Sequence, residues 1–298
     1  MEIAFDIIVD AVIDSLKILP FLFVTYLIME YLEHKTGDFT EEIVKRTEHF
    51  GPLWGGLIGI FPQCGFSAAA SNLYAGRIIT LGTLIAIYLS TSDEMIPLLI
   101  SEHFPVGTMI KILALKAVIG IIAGFAIDFV VHRHHKKRGK NIDDPVRIEK
   151  LCEKEHCHCE DDEDGSLFGI AKSAFIHTMH IFFFVLVLTL ALGAIIHLIG
   201  EENLSTLLKE NPVASHLLAG LIGLIPNCAA SVIITELYLE KMITLGTMMS
   251  GLLVGAGVGL LVLFRVNPEK KENIGIAILL FVIGTFSGLL LDILGVNF

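Results

Sequence analysis

Gly56-Leu57-Ile58-Gly59-Ile60-Phe61-Pro62-Gln63-Cys64 returns later in the same chain as Gly220-Leu221-Ile222-Gly223-Leu224-Ile225-Pro226-Asn227-Cys228. The offset is a constant 164 positions, and outward from that stretch it pairs Ser67 with Ser231, Tyr74 with Tyr238 and Arg77 with Lys241. It also pairs Thr80 and Thr83 with Thr244 and Thr247, and Gly120, Gly124 and Asp128 with Gly284, Gly288 and Asp292. Two segments alike only in composition would share leucines and isoleucines, not prolines, cysteines, threonines and aspartates. The chain is an internal duplication.

Of the 298 residues 54% are hydrophobic and 18% charged, and the mean hydropathy is +0.73. Apolar runs close to the roughly 20 residues that cross a bilayer recur throughout, which predicts an all-α polytopic membrane protein with the lipid bilayer as its solvent. The formal net charge of −11 argues against nucleic acid as a partner. Met1-Glu2-Ile3-Ala4-Phe5-Asp6 lacks the basic start of a secretory signal, so the first apolar helix is expected to stay in the mature protein. Five cysteines, two repeated and three in one loop, do not make a disulfide framework.

In order, residues 5–32 read as a first spanning helix and 51–76 as an apolar segment broken at Pro62-Gln63-Cys64-Gly65. Residues 78–100 span again, with Ser90-Thr91-Ser92-Asp93-Glu94 interrupting them, and 105–131 make a long span carrying Lys111 and Lys116. After a hydrophilic region at 132–166 the order repeats as 167–200, a broken 213–240, then 242–264 and 274–296. Domains follow: 1–131 as the first membrane repeat, 132–166 as a His/Cys/acidic loop, 167–298 as the second repeat.

Charge orients them. Lys and Arg gather at Lys35, Lys45 and Arg46, at Arg133 to Lys140, and at Arg265, Lys270 and Lys271, whereas the N-terminus, 101–105, 201–212 and the C-terminus are nearly free of them. The positive-inside rule puts the first group in the cytoplasm, with the central loop, and both termini outside. Equivalent connectors then fall on opposite sides, since the one after the first helix is basic in half one and acidic (Glu201, Glu202, Glu210) in half two. The repeats are expected to be inverted, with five helical elements each. Residues 51–76 and 213–240 read as re-entrant hairpins whose tips meet near the midplane, because irregular backbone at that depth survives only against protein or a water-filled cavity. Interrupted segments at matching positions of inverted repeats point to a transport site.

Several residues could carry the chemistry. Cys64 and Cys228, with Gln63 and Asn227 beside them and Ser67 and Ser231 three residues on, offer thiolates and amides to a soft ion such as Zn(II), Cd(II), Cu(I) or As(III); the plain alternative is that the cysteines merely pack. Asp93 and Glu94 lie inside an apolar span, where carboxylates usually serve an ion or proton pathway; the alternative is a helix end wetted by solvent. The first helices of the halves align at an offset of 163, placing Asp14 and Lys17 opposite His177 and His180. Each i, i+3 pair shares a helical face, suited to a proton relay, a second metal or a buried charge pairing. Asp128 and Asp292 read as interfacial residues near helix ends, and the repeated Gly120/Gly124 and Gly284/Gly288, with Gly251, Gly255 and Gly259, as close helix packing. Cys152, His156, Cys157, His158 and Cys159, in an acidic stretch of the loop, suggest metal capture, though their spacing matches no closed zinc site.

The Gly-Leu-Ile-Gly-x-x-Pro-Gln-Cys-Gly-Phe-Ser run from Gly56 to Ser67, its Pro226-Asn227-Cys228 partner and Ser90-Thr91-Ser92-Asp93-Glu94 resemble the ten-transmembrane heavy-metal exporter family of prokaryotes. The likeness covers almost everything outside the central loop. It implies a permease of the inner membrane exporting a metal or metalloid, and family labels of arsenic efflux protein and manganese transporter leave the ion open. The expected protein is a secondary transporter working by alternating access and coupled to proton entry, and not an enzyme. It would hold no permanent cofactor: a divalent metal or As(III) is its substrate, and a homo-oligomer stays open. No Gly-x-x-x-x-Gly-Lys motif for ATP appears. Two rival classes remain, a membrane thiol enzyme and a membrane metal sensor acting through the central loop.

Overall fold

The computed structural model describes residues 50–61, 64–92, 95–138, 167–199, 212–226 and 228–297, with single positions of the first helix between 9 and 27. No strand occurs among them. Half one contains α1 (50–58), α2 (Cys64–Ala75), α3 (Leu81–Ser90), α4 (Met95–Ser101) and α5 (Val106–Arg138). Then come α6 (Leu167–Ile199), α7 (Pro212–Gly223), α8 (Cys228–Leu239), α9 (Leu245–Val254), α10 (Val258–Val266) and α11 (Lys270–Ile293). The duplication is legible in the boundaries: α2 and α8 start and stop at equivalent positions, and so do α3 and α9.

Each half builds its short central helix by one device. Thr80 caps α3 by accepting from Thr83 N–H at 3.1 Å, and donates its own hydroxyl to Asp128 at 2.7 Å. The other Asp128 oxygen accepts from Gly82 N–H at 2.8 Å. In half two Thr244 caps α9 through Thr247 N–H at 3.1 Å and donates to Asp292, which accepts from Gly246 N–H at 2.9 Å. The first N–H groups of a helix have no partner within it, and a carboxylate there also answers the positive end of the helix dipole. Asp128 and Asp292 thus have a defined task, tying the end of the last helix of each repeat to the start of its central helix.

The central spans are the buried ones. Of the four helical runs among the described residues that are long and apolar enough to cross a membrane, those at Leu81–Ser101 and Leu245–Val266 are 75% and 83% buried. Val106–Arg133 and Lys270–Ile293 are only 28% and 33% buried. The latter two expose Ile122, Phe129, Ile278, Val282 and Phe286, an apolar exterior that suits lipid.

Both central spans are broken. The interruption after Ser90 agrees with the sequence. The apparently continuous span at 242–264 is instead two helices, because α9 stops at Val254 and Gly257 takes φ 52°, ψ −141° before α10 begins. Glycine reaches that dihedral without the penalty a Cβ brings.

The halves interlock through these second pieces. α10 packs along α2, and α4 touches α8. At the first crossing Ser71 Oγ donates to Gly259 O at 2.7 Å and Tyr88 Oη donates to the same carbonyl at 3.2 Å. Contacts at the element ends fix the sense of each half. His216, in the second turn of α7, lies 3.2 Å from Asp292 in the last turn of α11, and Tyr238 at the end of α8 packs its ring on Phe104, just before α5. Arg77, just past α2, forms two 3.0 Å hydrogen bonds with Glu272 in the first turn of α11. The C-terminal ends of α2 and α8 therefore lie against opposite ends of the long helices.

Candidate functional site

Where α3 and α9 stop, their last carbonyls lack intrahelical partners and carry the negative end of each helix dipole. Lys116, about a third of the way along α5, delivers an ammonium to that place. Its side chain is 1% exposed, and Nζ donates to Thr91 O, at the C-cap of α3, and at 2.9 Å to Leu252 O in the last turn of α9. A cavity of about 20 Å³ opens beside it, lined by Thr91, Ser92, Ser231, Ile225, Gly255 and Gly257 among others. That is room for about one water molecule. The lining draws on both breaks and on residues 223–234 of half two.

Symmetry fails at this spot, and the failure shapes the site. Lys116 corresponds to Leu280, so one ammonium serves both helix ends. Gly259 corresponds to Met95. With no side chain at Gly259, Ser67 closes on its backbone and is fully buried. Ser231, the equivalent serine, lines the cavity.

Of the residues singled out from sequence, Ser231 joins this cavity and Ser67 lies at the neighbouring crossing. Cys64 and Cys228 open α2 and α8, and His177 belongs to α6, but these three side chains are outside the described ones. His180, also on α6, is exposed. Gln63, Asn227, Asp93, Glu94, Asp14, Lys17, Cys152, His156, Cys157, His158 and Cys159 all lie outside the described residues. Among the described residues no group of three His, Cys, Asp or Glu side chains could hold a metal ion.

Two features escaped the sequence. Lys116 stood out as a charge inside a span, but the two backbone carbonyls it reaches leave no side-chain signature. His216 is buried, with Nδ1 2.9 Å from Ser250 Oγ and Nε2 3.2 Å from Asp292. Its counterpart is Pro52, so the repeat gave no hint of it. On the opposite end, Glu272 also accepts from Tyr74 Oη at 2.5 Å and from Asn267 Nδ2 at 3.2 Å. Burial disfavours the Arg77 charge, but the hydrogen bonds and charge of Glu272 outweigh it and raise its pKa.

The model of a family described as "Putative, 10TM heavy-metal exporter" matches residues 3–200 and again 170–297. Comparison with curated proteins found no match, and none of the solved structures matched.

Proposed function

We propose, for a chain that belongs to this family of ten-transmembrane heavy-metal exporters, a secondary transporter that exports a soft metal or metalloid ion by alternating access. One observation carries the reading. Two discontinuous helices, one from each repeat, end against a single buried ammonium beside a small cavity. Broken helices at matching positions of a repeated membrane protein are where transporters bind their ions.

In this reading the segments 51–76 and 213–240 are re-entrant hairpins. Support comes from the contacts of Arg77 with Glu272 and of His216 with Asp292, which hold them at opposite ends of α11. The hairpin tips bring Gln63, Cys64, Asn227 and Cys228 toward the breaks, with Ser231 at the cavity and Asp93 and Glu94 following the end of α3. Thiolates and amides favour zinc-like ions or As(III), while Mn(II) prefers oxygen donors. Proton entry drives export through Asp93, Glu94, His177 or His180. The protein sits in the inner membrane of a prokaryote, with the loop 132–166 in the cytoplasm and both termini outside.

The test is uptake by inverted vesicles across Mn, Zn, Co, Cd and arsenite, with and without a pH gradient. Uptake of one or more of these, abolished in Cys64→Ser and Cys228→Ser and driven by the gradient, is the expected result. Accumulation of none of them overturns the assignment. Gradient-independent uptake, unchanged in Asp93→Asn, removes the proton coupling alone.

A further inference from the structure

We propose that His216, held between Asp292 and Ser250, is a proton-binding site, and that the transport cycle exchanges its proton. The second clause rests on the proton-coupled transport reading above; the first does not.

Half one supplies a control built into the chain. Along the junction of α7, α9 and α11, half two places His216, Ser250 and Thr285 where half one has Pro52, Ala86 and Ile121. Those apolar counterparts pack closely. A Cβ on Gly124 would meet Pro52 at 2.8 Å and Ala86 at 3.0 Å, and one on Gly56 would meet Ile121 at 2.4 Å. The junction therefore closes without polar groups, and burying them in half two costs free energy that packing does not require. The Thr285 hydroxyl is even buried with no hydrogen-bond partner among the described residues.

The contacts of the ring suit either of its charge states. Nδ1 lies 2.9 Å from Ser250 Oγ, and Nε2 lies 3.2 Å from Asp292 Oδ2. Ser250 has one hydroxyl proton, and Gly246 O at 3.1 Å and Thr285 O at 3.4 Å also accept it. When that proton points at a carbonyl, Nδ1 donates to Oγ while Nε2 faces a carboxylate, which describes an imidazolium. When it turns to Nδ1, the ring is neutral and keeps its proton on Nε2. Rotating one hydroxyl accommodates both states with no heavy atom displaced. Asp292, with a side chain 23% exposed against 3% for the histidine, links the ring to water.

The elements packed on α7 are α9, α11 and α8. α7 and α9 carry no other ionisable side chain. Besides Asp292, α11 has Lys270, Lys271 and Glu272 at its opposite end. α8 opens on Cys228 and carries Glu236, which is exposed, and Tyr238, which packs on Phe104; Glu240 and Lys241 are exposed in the turn that follows. In the orientation proposed above this end faces outside, where an entering proton starts.

The experiment has two arms. In the first, the full-length protein, labelled with nitrogen-15 in its histidine rings and reconstituted in bilayers, is followed by solid-state NMR between about pH 5 and 8, the range in which histidine changes charge. One ring signal, absent from His216→Gln, should pass from two protonated nitrogens to one. If His216→Gln does not fold, the signal is assigned by its displacement in Ser250→Ala, which carries the residue that half one has there. A His216 ring in one protonation state throughout overturns the site. In the second arm, His216→Gln in inverted vesicles should lose gradient-driven metal uptake and keep metal-for-metal exchange. Uptake still driven as in wild type, or loss of exchange as well, overturns the coupling role. A titrating ring in a protein that accumulates no metal, or whose uptake ignores the gradient, retains the proton site and discards its use in transport. Metal uptake beside an untitrating ring does the reverse.

Discussion

At the residue scale, three helices among the described residues end on a residue that is not glycine but is held in the left-handed region: Arg77 at φ 61°, His103 at 55° and Lys241 at 59°. In each, the following N–H reaches back five residues, as Ile78 N to Leu73 O and Met242 N to Leu237 O, both at 2.9 Å. Glycine is the usual occupant of that position because a Cβ there costs energy. Arg77 repays that cost through Glu272. At the equivalent turn, the position corresponding to Glu272 is Thr108, which has no carboxylate to offer Lys241. Lys241→Gly should therefore stabilise the protein by up to about 1 kcal/mol, and Arg77→Gly should destabilise it, both read by thermal unfolding in detergent. The caps give a second pair of outcomes. Asp128→Ala and Asp292→Ala each remove the anchor of a central helix, and each should lower stability by about 0.5–2 kcal/mol.

At the element scale the crossing of α2 and α10 is the tightest junction between the halves. A Cβ on Gly259 would stand 2.7–2.8 Å from the Cβ, carbonyl carbon and carbonyl oxygen of Ser67. Backbone cannot retreat as a flexible side chain can. Gly259→Ala should cost about 1–3 kcal/mol by overpacking, and it should also weaken the Ser71 and Tyr88 hydrogen bonds to the Gly259 carbonyl. A thermal midpoint unchanged in this variant would mean that the two elements separate freely. The same comparison shows what the sequence could reveal. The break in half one announced itself through Ser90-Thr91-Ser92, because polar side chains interrupt an apolar run. The break in half two is spelled Gly255-Ala256-Gly257, which reads as continuous hydrophobicity. Yet the offset of 164 places Thr91 on Gly255, so the repeat itself held the missing signal. Duplication, helical class and the close glycine contacts were legible because they rest on spacing and side-chain size. The carbonyl junction around Lys116 was not, because it depends on where two distant backbones stop.

At the scale of the whole molecule, the two ends of the long helices are fastened differently. One end has the bidentate Arg77–Glu272 pair, both partners less than a third exposed, with Tyr74 and Asn267 on the same carboxylate. The other has Tyr238 edge-on to Phe104, and His216 between Ser250 and Asp292. Under the alternating access proposed above, a duplicated protein with equivalent ends would open either way at equal cost, and this difference would bias which end stays closed. Arg77 belongs to the first half and Glu272 to the second, which makes their pair a fastening between repeats. Planar two-point pairing is also stronger than a single contact. Arg77→Glu and Glu272→Arg should each destabilise the protein, and the doubly exchanged variant should regain much of the loss, with a coupling energy of about 0.5–3 kcal/mol from the thermal double-mutant cycle. Lys241→Gln, at the equivalent turn of the other repeat, should stay within about 0.5 kcal/mol of wild type. Additive losses at Arg77 and Glu272 would show that the pair does not hold the repeats together, and the bias between the two ends would then have to come from the His216 side.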